Sequence, residues 1–251
     1  MPPATRLDQV LVERGLCDSR EKAKRAVLAG QVRVNDQLAH KPSEAVAPDD
    51  RISLAVPERY VSRGGYKLEH ALDHFRVDAG GLTAIDLGAS TGGFTDCLCQ
   101  RGAARVYAVD VGHGQLAWKL RQNPRISVME RTNARALTAN HFPAGFRPAD
   151  LIVVDCSFIS LRKLLPNAVA LLRPSGKIIA LIKPQFEAGK PEADRGAGVI
   201  SDPAIHARIL SELEAFAATI EGLSWIGTTE SPLLGPAGNR EFFVLLEKAS
   251  A

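Results

Sequence analysis

The chain has 251 residues, 45% of them hydrophobic, and a formal net charge of only +3. That length and composition allow one large or two smaller domains with a substantial core, and they argue against a disordered or strongly polycationic protein. No apolar run approaches the ~18 residues that mark a bilayer-spanning helix, and no secretory leader is readable, so no membrane partner and a cytoplasmic location are expected. The four cysteines, Cys17, Cys97, Cys99 and Cys156, are wrongly spaced for a zinc site and are expected to be reduced thiols. His70 and His74 have helical i, i+4 spacing but no third ligand nearby, so no metal is expected.

Residues 1–58 read as a separate small α+β unit. A helix over Leu7 to Arg14 ends at Gly15, Ser19 caps a second helix over Arg20 to Leu28, and Gly30 leads into a strand over Gln31 to Asn35. Arg20, Lys22, Lys24 and Arg25 fall within two turns, and Arg6, Arg33 and Lys41 extend a face suited to phosphates. An ordinary solvated helix face is the competing reading. Residues 59–65 then have the composition of a linker, with two glycines and no periodicity.

Residues 66–251 alternate strand and helix patterns. A helix over Tyr66 to Phe75 precedes a strand over Leu82 to Leu87, a turn with Gly88, Gly92 and Gly93, and a helix from Phe94. Strands follow at Arg105 to Val109, Ile126 to Met129, Leu151 to Val154 and Lys177 to Ile182, with helical patterns at Gln115 to Arg121, around Leu161 to Leu172, and at Ile205 to Ile220. Two closing strands, Leu223 to Thr229 and Glu241 to Leu246, are joined by a short Pro-Gly segment and must be antiparallel to each other. The order predicts a mostly parallel, doubly wound α/β sheet, in which ligands bind outside the carboxyl ends of the strands.

That topology gathers chemistry at one edge. Asp155 and Lys183 are each the first residue beyond a parallel strand, Glu241 opens the reversed last strand, and Lys67 lies at the start of the helix preceding the first strand. Beside them stands the loop DLGASTGGF, Asp86 to Phe94, with Asp110 ending the next strand 22 residues after Gly88. An acid at that place suits a ribose diol. The GxxxGG spacing is not that of a dinucleotide loop, and two acids favour a cationic sulfonium over a pyrophosphate, so S-adenosylmethionine is the expected cofactor. Two lysines with two carboxylates beside it suit methylation of a hydroxyl. Lys183 would act either as a base, if Lys67 and desolvation depress its pKa, or as a group that steers the hydroxyl and stabilises an alkoxide, with Asp155 and Glu241 orienting the amines. The irregular stretch Gln185 to Asp202 reads as a wall for RNA, and Phe158 either stacks on a displaced base or is a core aromatic.

The segments SRGGYKL (62–68), GASTGGFT (88–95), VDVGHGQLAWKLR (109–121), ERTNAR (130–135), DCSFISL (155–161), KPQFEAGK (183–190) and GPAGNREFF (235–243) resemble the TlyA family, called haemolysins and acting as 2′-O-ribose methyltransferases on rRNA. The larger unit also resembles the FtsJ group, and the first unit an S4-type RNA-binding domain. The resemblance implies a Rossmann-like class I methyltransferase with a seven-stranded, mostly parallel sheet. It maps a Lys-Asp-Lys-Glu catalytic tetrad onto Lys67, Asp155, Lys183 and Glu241 and makes cytidine in 16S rRNA, 23S rRNA or both, within ribosomal subunits, the substrate. It also implies that Gly88, Ser90, Thr91, Gly92, Asp110 and Asn133 line the cofactor. Asp86, Ala89, Gly93, Phe94, Val111 and Asp155 complete the candidate cofactor set. Arg6, Arg20, Lys22, Lys24, Arg25, Arg33, Lys41, Arg63, Phe158 and Lys190 are the candidate RNA contacts. The alternatives are a pore-forming haemolysin and a noncatalytic rRNA-binding factor.

Overall fold

Hydrogen-bond pairing of the strands fixes the architecture. The computed structural model describes residues 5–55, 58–189, 192 and 198–250, and the chain divides into two units, Met1–Arg59 and Tyr60–Ala251.

In the first unit, helices α1 (Leu7–Glu13) and α2 (Arg20–Leu28) pack through Leu7, Val10, Leu11, Ala23, Ala26 and Val27. Ser19 caps α2 by accepting from the Lys22 N–H. The strands β1 (Thr5–Arg6) and β4 (Ala45–Val46) pair antiparallel, as do β2 (Val32–Val34), β3 (Gln37–Leu38) and β5 (Ile52–Leu54) in the order β3-β2-β5. Asn35 and Asp36, both at positive φ (49° and 67°), make the two-residue turn between β2 and β3. Asn and Asp tolerate that left-handed conformation, which matches the twist of a hairpin.

In the second unit, seven strands among the described residues form one sheet: β6 (Thr83–Leu87), β7 (Arg105–Val109), β8 (Ile126–Met129), β9 (Ala149–Val154), β10 (Leu172–Ile182), β11 (Leu223–Glu230) and β12 (Phe242–Lys248), in the order β11-β12-β10-β9-β6-β7-β8. Strands β10, β9, β6, β7 and β8 are mutually parallel, and β12 is antiparallel to both its neighbours. The chain thus builds a Rossmann-like, mostly parallel sheet preceded in sequence by a small N-terminal unit. Alternate residues of one strand enter different cores: Leu151 and Val153 pack with Leu68, Leu98 and Phe243, while Ile152 and Val154 pack with Leu165, Ile209 and Leu213. Both faces are therefore covered, as near-continuous apolar strands require. The covering helices are α3 (Gly64–His74), α4 (Gly93–Gln100), α5 (Trp118–Arg121), α6 (Leu165–Ala170), α7 (Pro184–Glu187) and α8 (Pro203–Ala217).

The structure corrects the expected boundaries in three places. The linker expected over 59–65 is, from Tyr60 on, part of the larger unit: Tyr60 is buried in its core and the Val61 N–H donates to Asp96 Oδ2 at 2.9 Å. The helix expected over 115–121 keeps only its last four residues, because Asp110 and Glu130 take the Gly112 and Gly114 N–H groups and hold the preceding turns open. The helix expected to run to Leu172 stops at Ala170, and β10 begins at Leu172, absorbing Pro174 to Gly176 in an irregularity of register against β9.

Candidate active site

The carboxyl ends of the parallel strands carry Gly88, Asp110, Glu130, Asp155 and Lys183 in consecutive strand-end positions, β6 to β10. The antiparallel register pairs Ile182 with Phe242, so Lys183 and Glu241, each the next residue out, stand together at that edge. Helix α3 starts against the glycine loop. A Cβ on Gly93 would stand 2.3 Å from Ser62 Oγ, 2.9 Å from the Gly65 backbone N and 3.1 Å from Gly64 Cα, so only glycine permits the approach. That approach brings in Lys67.

Two ion pairs result. Lys67 Nζ donates to Glu241 Oε2 at 2.5 Å, both side chains being buried. Lys183 Nζ lies 2.6 Å from Asp155 Oδ1 and donates to Ser157 Oγ at 2.9 Å. The Lys183–Asp155 contact is an ion pair out of line for a hydrogen bond, so Asp155 Oδ1 is left without one, and Glu241 Oε1 likewise has no partner among the described residues. Gly235 makes room for that second oxygen: a Cβ there would be 2.5 Å from Glu241 Oε1. Such orphaned acceptors are costly unless something supplies donors.

Three cavities meet around these groups. The first, about 400 Å³, is lined by the four ionisable residues, by Gly88, Ala89, Ser90, Thr91, Gly93 and Phe94 of the loop, and by Arg63. The second, about 470 Å³, shares Gly88, Ser90 and Asp155 with the first and adds Asp110, Val111, Asn133 and Phe158. Asp110 sits at its rim with Oδ2 accepting the Ser90 N–H at 2.8 Å and Oδ1 the Gly112 N–H at 2.6 Å. Glu130 anchors the adjoining turn through Arg121, His113 and the Gly114 N–H, and the Arg121 hydrogen bond brings its carboxyl down to about 2. The third cavity, about 460 Å³, shares Lys183 and Glu241 with the first and is walled by Phe158, Gln185, Phe186 and Pro236.

Two residues expected at the cofactor, Asp86 and Gly92, line none of these three cavities. Asp86 is wholly buried and lines none of these cavities; it accepts from Thr95 Oγ1 at 2.6 Å, and burial pushes its pKa up to about 7. It is therefore partly neutral near pH 7, and the acidity that would favour a sulfonium comes from Asp110 and Asp155. Gly92, at φ 99°, serves packing: a Cβ there would meet Leu120 at 2.3 Å. Ser62, Gly64, Pro236, Gln115, Thr132, Ser157, Ile159 and Leu164 line the cavities without having been singled out in the sequence. Ser157 had a readable signal, since the three N–H donors of an ammonium need acceptors and Ser157 lies two residues beyond Asp155.

Phe158 is 91% exposed at φ 63°, its ring 5.0 Å from Phe186, which rules out the reading as a core aromatic. In the first unit Arg6 and Arg20 both reach Asp8, while Lys22 pairs with Asp18, Lys24 with Glu21, and Arg33 donates to the Asp36 carbonyl. Arg25 and Lys41 are exposed. Lys190 lies outside the described residues. All four cysteines are free, and burial pushes the Cys156 thiol up to about 12. Among the described residues no helix is long and apolar enough to cross a membrane, and no cluster of three or more His, Cys, Asp or Glu offers a metal site.

Comparison with known proteins accounts for this arrangement. The model of the FtsJ-like methyltransferase family matches residues 60–248, and that of the S4 domain residues 5–52. The 16S/23S rRNA (cytidine-2′-O)-methyltransferase TlyA of Mycobacterium tuberculosis is 45% identical over 250 residues, covering 98% of this chain and 91% of its own. The chain belongs to the TlyA family of FtsJ-like methyltransferases. YqxC of Bacillus subtilis is 49% identical over 96% of this chain and 85% of its own length. The solved structure of a Streptococcus thermophilus protein superposes with a TM-score of 0.74 at 42% identity, covering all of this chain and 90% of that one. The family match begins at Tyr60, where the structure puts the boundary between the two units.

Proposed function

We propose that this protein transfers a methyl group from S-adenosylmethionine to the 2′-hydroxyl of a cytidine in ribosomal RNA, acting on ribosomal subunits in the cytoplasm. The observation that carries this reading is Lys183, ion-paired to Asp155, hydrogen-bonded to Ser157, and standing in the walls of both the first and the third cavity. A group so placed is within reach of two ligands at once.

The cofactor fits on the chain's own features. Asp110 offers a carboxylate at a strand end for a ribose diol, Val111, Ile159 and Leu164 give apolar walls, and the unpartnered Asp155 Oδ1 adds negative charge where the first two cavities join. When bound, S-adenosylmethionine supplies an electrophilic methyl group on a cationic sulfur. The residues around it bind, orient and polarise. Lys183, ion-paired to Asp155, donates to the ribose oxygen and stabilises the negative charge that builds there as the methyl group is transferred and the hydroxyl proton is lost to solvent. Lys67 and Glu241 form a rigid buried pair against which that oxygen is positioned, contributing through orientation. Phe158 and Phe186 offer aromatic faces beside the third cavity, where a base displaced from its stack is held. The small unit brings Arg6, Arg20, Arg25 and Lys41 to the phosphate backbone.

Methyl transfer from labelled cofactor to unmodified small and large subunits, followed by digestion to nucleosides, tests the proposal. The expected product is 2′-O-methylcytidine; label on a base, or on no nucleoside, overturns it.

A further inference from the structure

Asp8 is a carboxylate in an unusual place. Its side chain is wholly buried in the first unit, yet both its oxygens are taken by guanidinium groups that are about half exposed. Arg6 grips it with two bonds, Nε to Oδ1 and Nη2 to Oδ2, each 3.1 Å, and Arg20 Nη2 reaches Oδ2 at 3.2 Å. The arginines come from different elements, Arg6 from β1 and Arg20 from the first position of α2 behind the Ser19 cap. Backbone bonds hold Asp8 itself: its N–H donates to the Pro42 carbonyl at 2.9 Å and that of Leu7 to the Glu44 carbonyl at 2.8 Å. The first of these also fastens the turn that carries Lys41. Nearby bonding keeps the Asp8 carboxyl below its usual range, the Arg6 hydrogen bond being the largest cause.

Each guanidinium has five N–H donors. Asp8 uses two of Arg6 and one of Arg20, so seven remain, on two planar groups tied to one buried anchor. Two free arginines would repel and sample many rotamers; the carboxylate cancels one charge and fixes both side chains.

We propose that Asp8 is a positioning residue for RNA, locking Arg6 and Arg20 into a preformed fork that takes one backbone phosphate. This rests on the reading of the small unit as RNA-binding. The fork is net +1, a fit for a phosphodiester, and pre-organisation lowers the entropy lost on binding.

The idea makes a prediction opposite to that of bulk electrostatics. Removing a negative charge from an RNA-binding face should tighten binding if only net charge matters. For the full-length protein binding purified unmethylated ribosomal subunits between 50 and 200 mM KCl, Asp8→Asn instead weakens affinity about 5- to 10-fold and lowers the salt slope by about one phosphate contact. Arg6→Lys keeps the charge but cannot grip Asp8 with two bonds, and it weakens binding by a similar factor. Binding of S-adenosylmethionine, assigned above to the other unit, stays unchanged in both variants and shows that this unit is intact, while an unchanged far-UV circular-dichroism spectrum and melting profile shows that the small unit is folded. Tighter or unchanged binding by Asp8→Asn, or unchanged binding by Arg6→Lys, overturns the proposal. Should Asp8→Asn unfold the small unit, Arg6→Lys alone decides. Arg6→Ala and Arg20→Ala separate the two claims: if neither weakens subunit binding, the RNA-binding reading of this face fails, whereas losses there without a loss in Asp8→Asn and Arg6→Lys reject the positioning role only.

Discussion

Lys183 and Glu241 are neighbours because the strands that precede and follow them, β10 and β12, end in register, with Ile182 paired to Phe242. Each carries its own counter-ion, Asp155 for Lys183 and Lys67 for Glu241, so the edge is two ion pairs rather than four free charges.

The buried pair gives the first prediction. Glu241→Ala leaves the Lys67 ammonium buried and unpaired, and costs about 3–5 kcal/mol in urea unfolding. Replacing both, as Lys67→Met with Glu241→Leu, restores most of that stability while leaving methyl transfer abolished. A double variant as unstable as the single one would mean that packing, not charge, dominates at this site.

Asp110 supplies the second. Its carboxylate accepts the Ser90 and Gly112 N–H groups and so shapes the rim of the second cavity. Asp110→Ala should weaken S-adenosylmethionine binding about 10- to 100-fold, the range for losing hydrogen bonds to a charged group, with a much smaller change in subunit binding. Calorimetric titration with the cofactor checks it; an affinity within a factor of two of wild type would count against the assignment.

Asp86 supplies a pH dependence. Its folded-state pKa, about 7, lies above the 3.8 of the free side chain, chiefly through burial. The folded state therefore holds a proton that the unfolded chain releases over that interval, and stability falls as pH rises from about 4 through 7. Asp86→Asn keeps an acceptor for Thr95 and removes the cost of ionisation. It should match the wild type near pH 4 and exceed it by about 2–4 kcal/mol at pH 8. Parallel stability curves across that range would refute the shift.

Gly235 supplies a purely steric test. A methyl group there meets Glu241 Oε1 at 2.5 Å, so Gly235→Ala displaces the carboxylate. Methyl transfer should fall by at least about tenfold, as small displacements in a positioned site do, while cofactor affinity holds. Unimpaired transfer would show that the placement of Glu241 is not required.

Much of this edge was legible in the sequence because strand ends are countable. The runs 82–87, 105–109, 151–154 and 177–182 are apolar, short and bounded, and the reversal of the last strand follows from a brief connection. What was not legible depends on tertiary contact. Asp86 reads like a ligand because it stands next to the end of a strand and opens the glycine-loop segment, but only the fold shows its side chain turned into the core against Thr95. Tyr60 reads like linker because two glycines follow closely; the second of them, Gly65, is there to admit the Tyr60 ring, which a Cβ would meet at 2.2 Å. Helix α5 lost its first turn to side-chain acceptors from two other strand ends, a competition invisible to periodicity. The charge cluster on α2 looked like one free basic face, whereas Lys22 and Lys24 are paired locally and Arg20 is turned to Asp8.

The central claim is that Lys183 acts on the ribose hydroxyl during methyl transfer and not in holding the cofactor. Single-turnover methylation of unmodified ribosomal subunits by wild type and Lys183→Ala, with S-adenosylmethionine affinity measured on the same preparations, tests it most directly. The account predicts a loss of about 10²–10³ in rate at cofactor affinity unchanged within a few-fold; a variant that transfers methyl groups at the wild-type rate would contradict it.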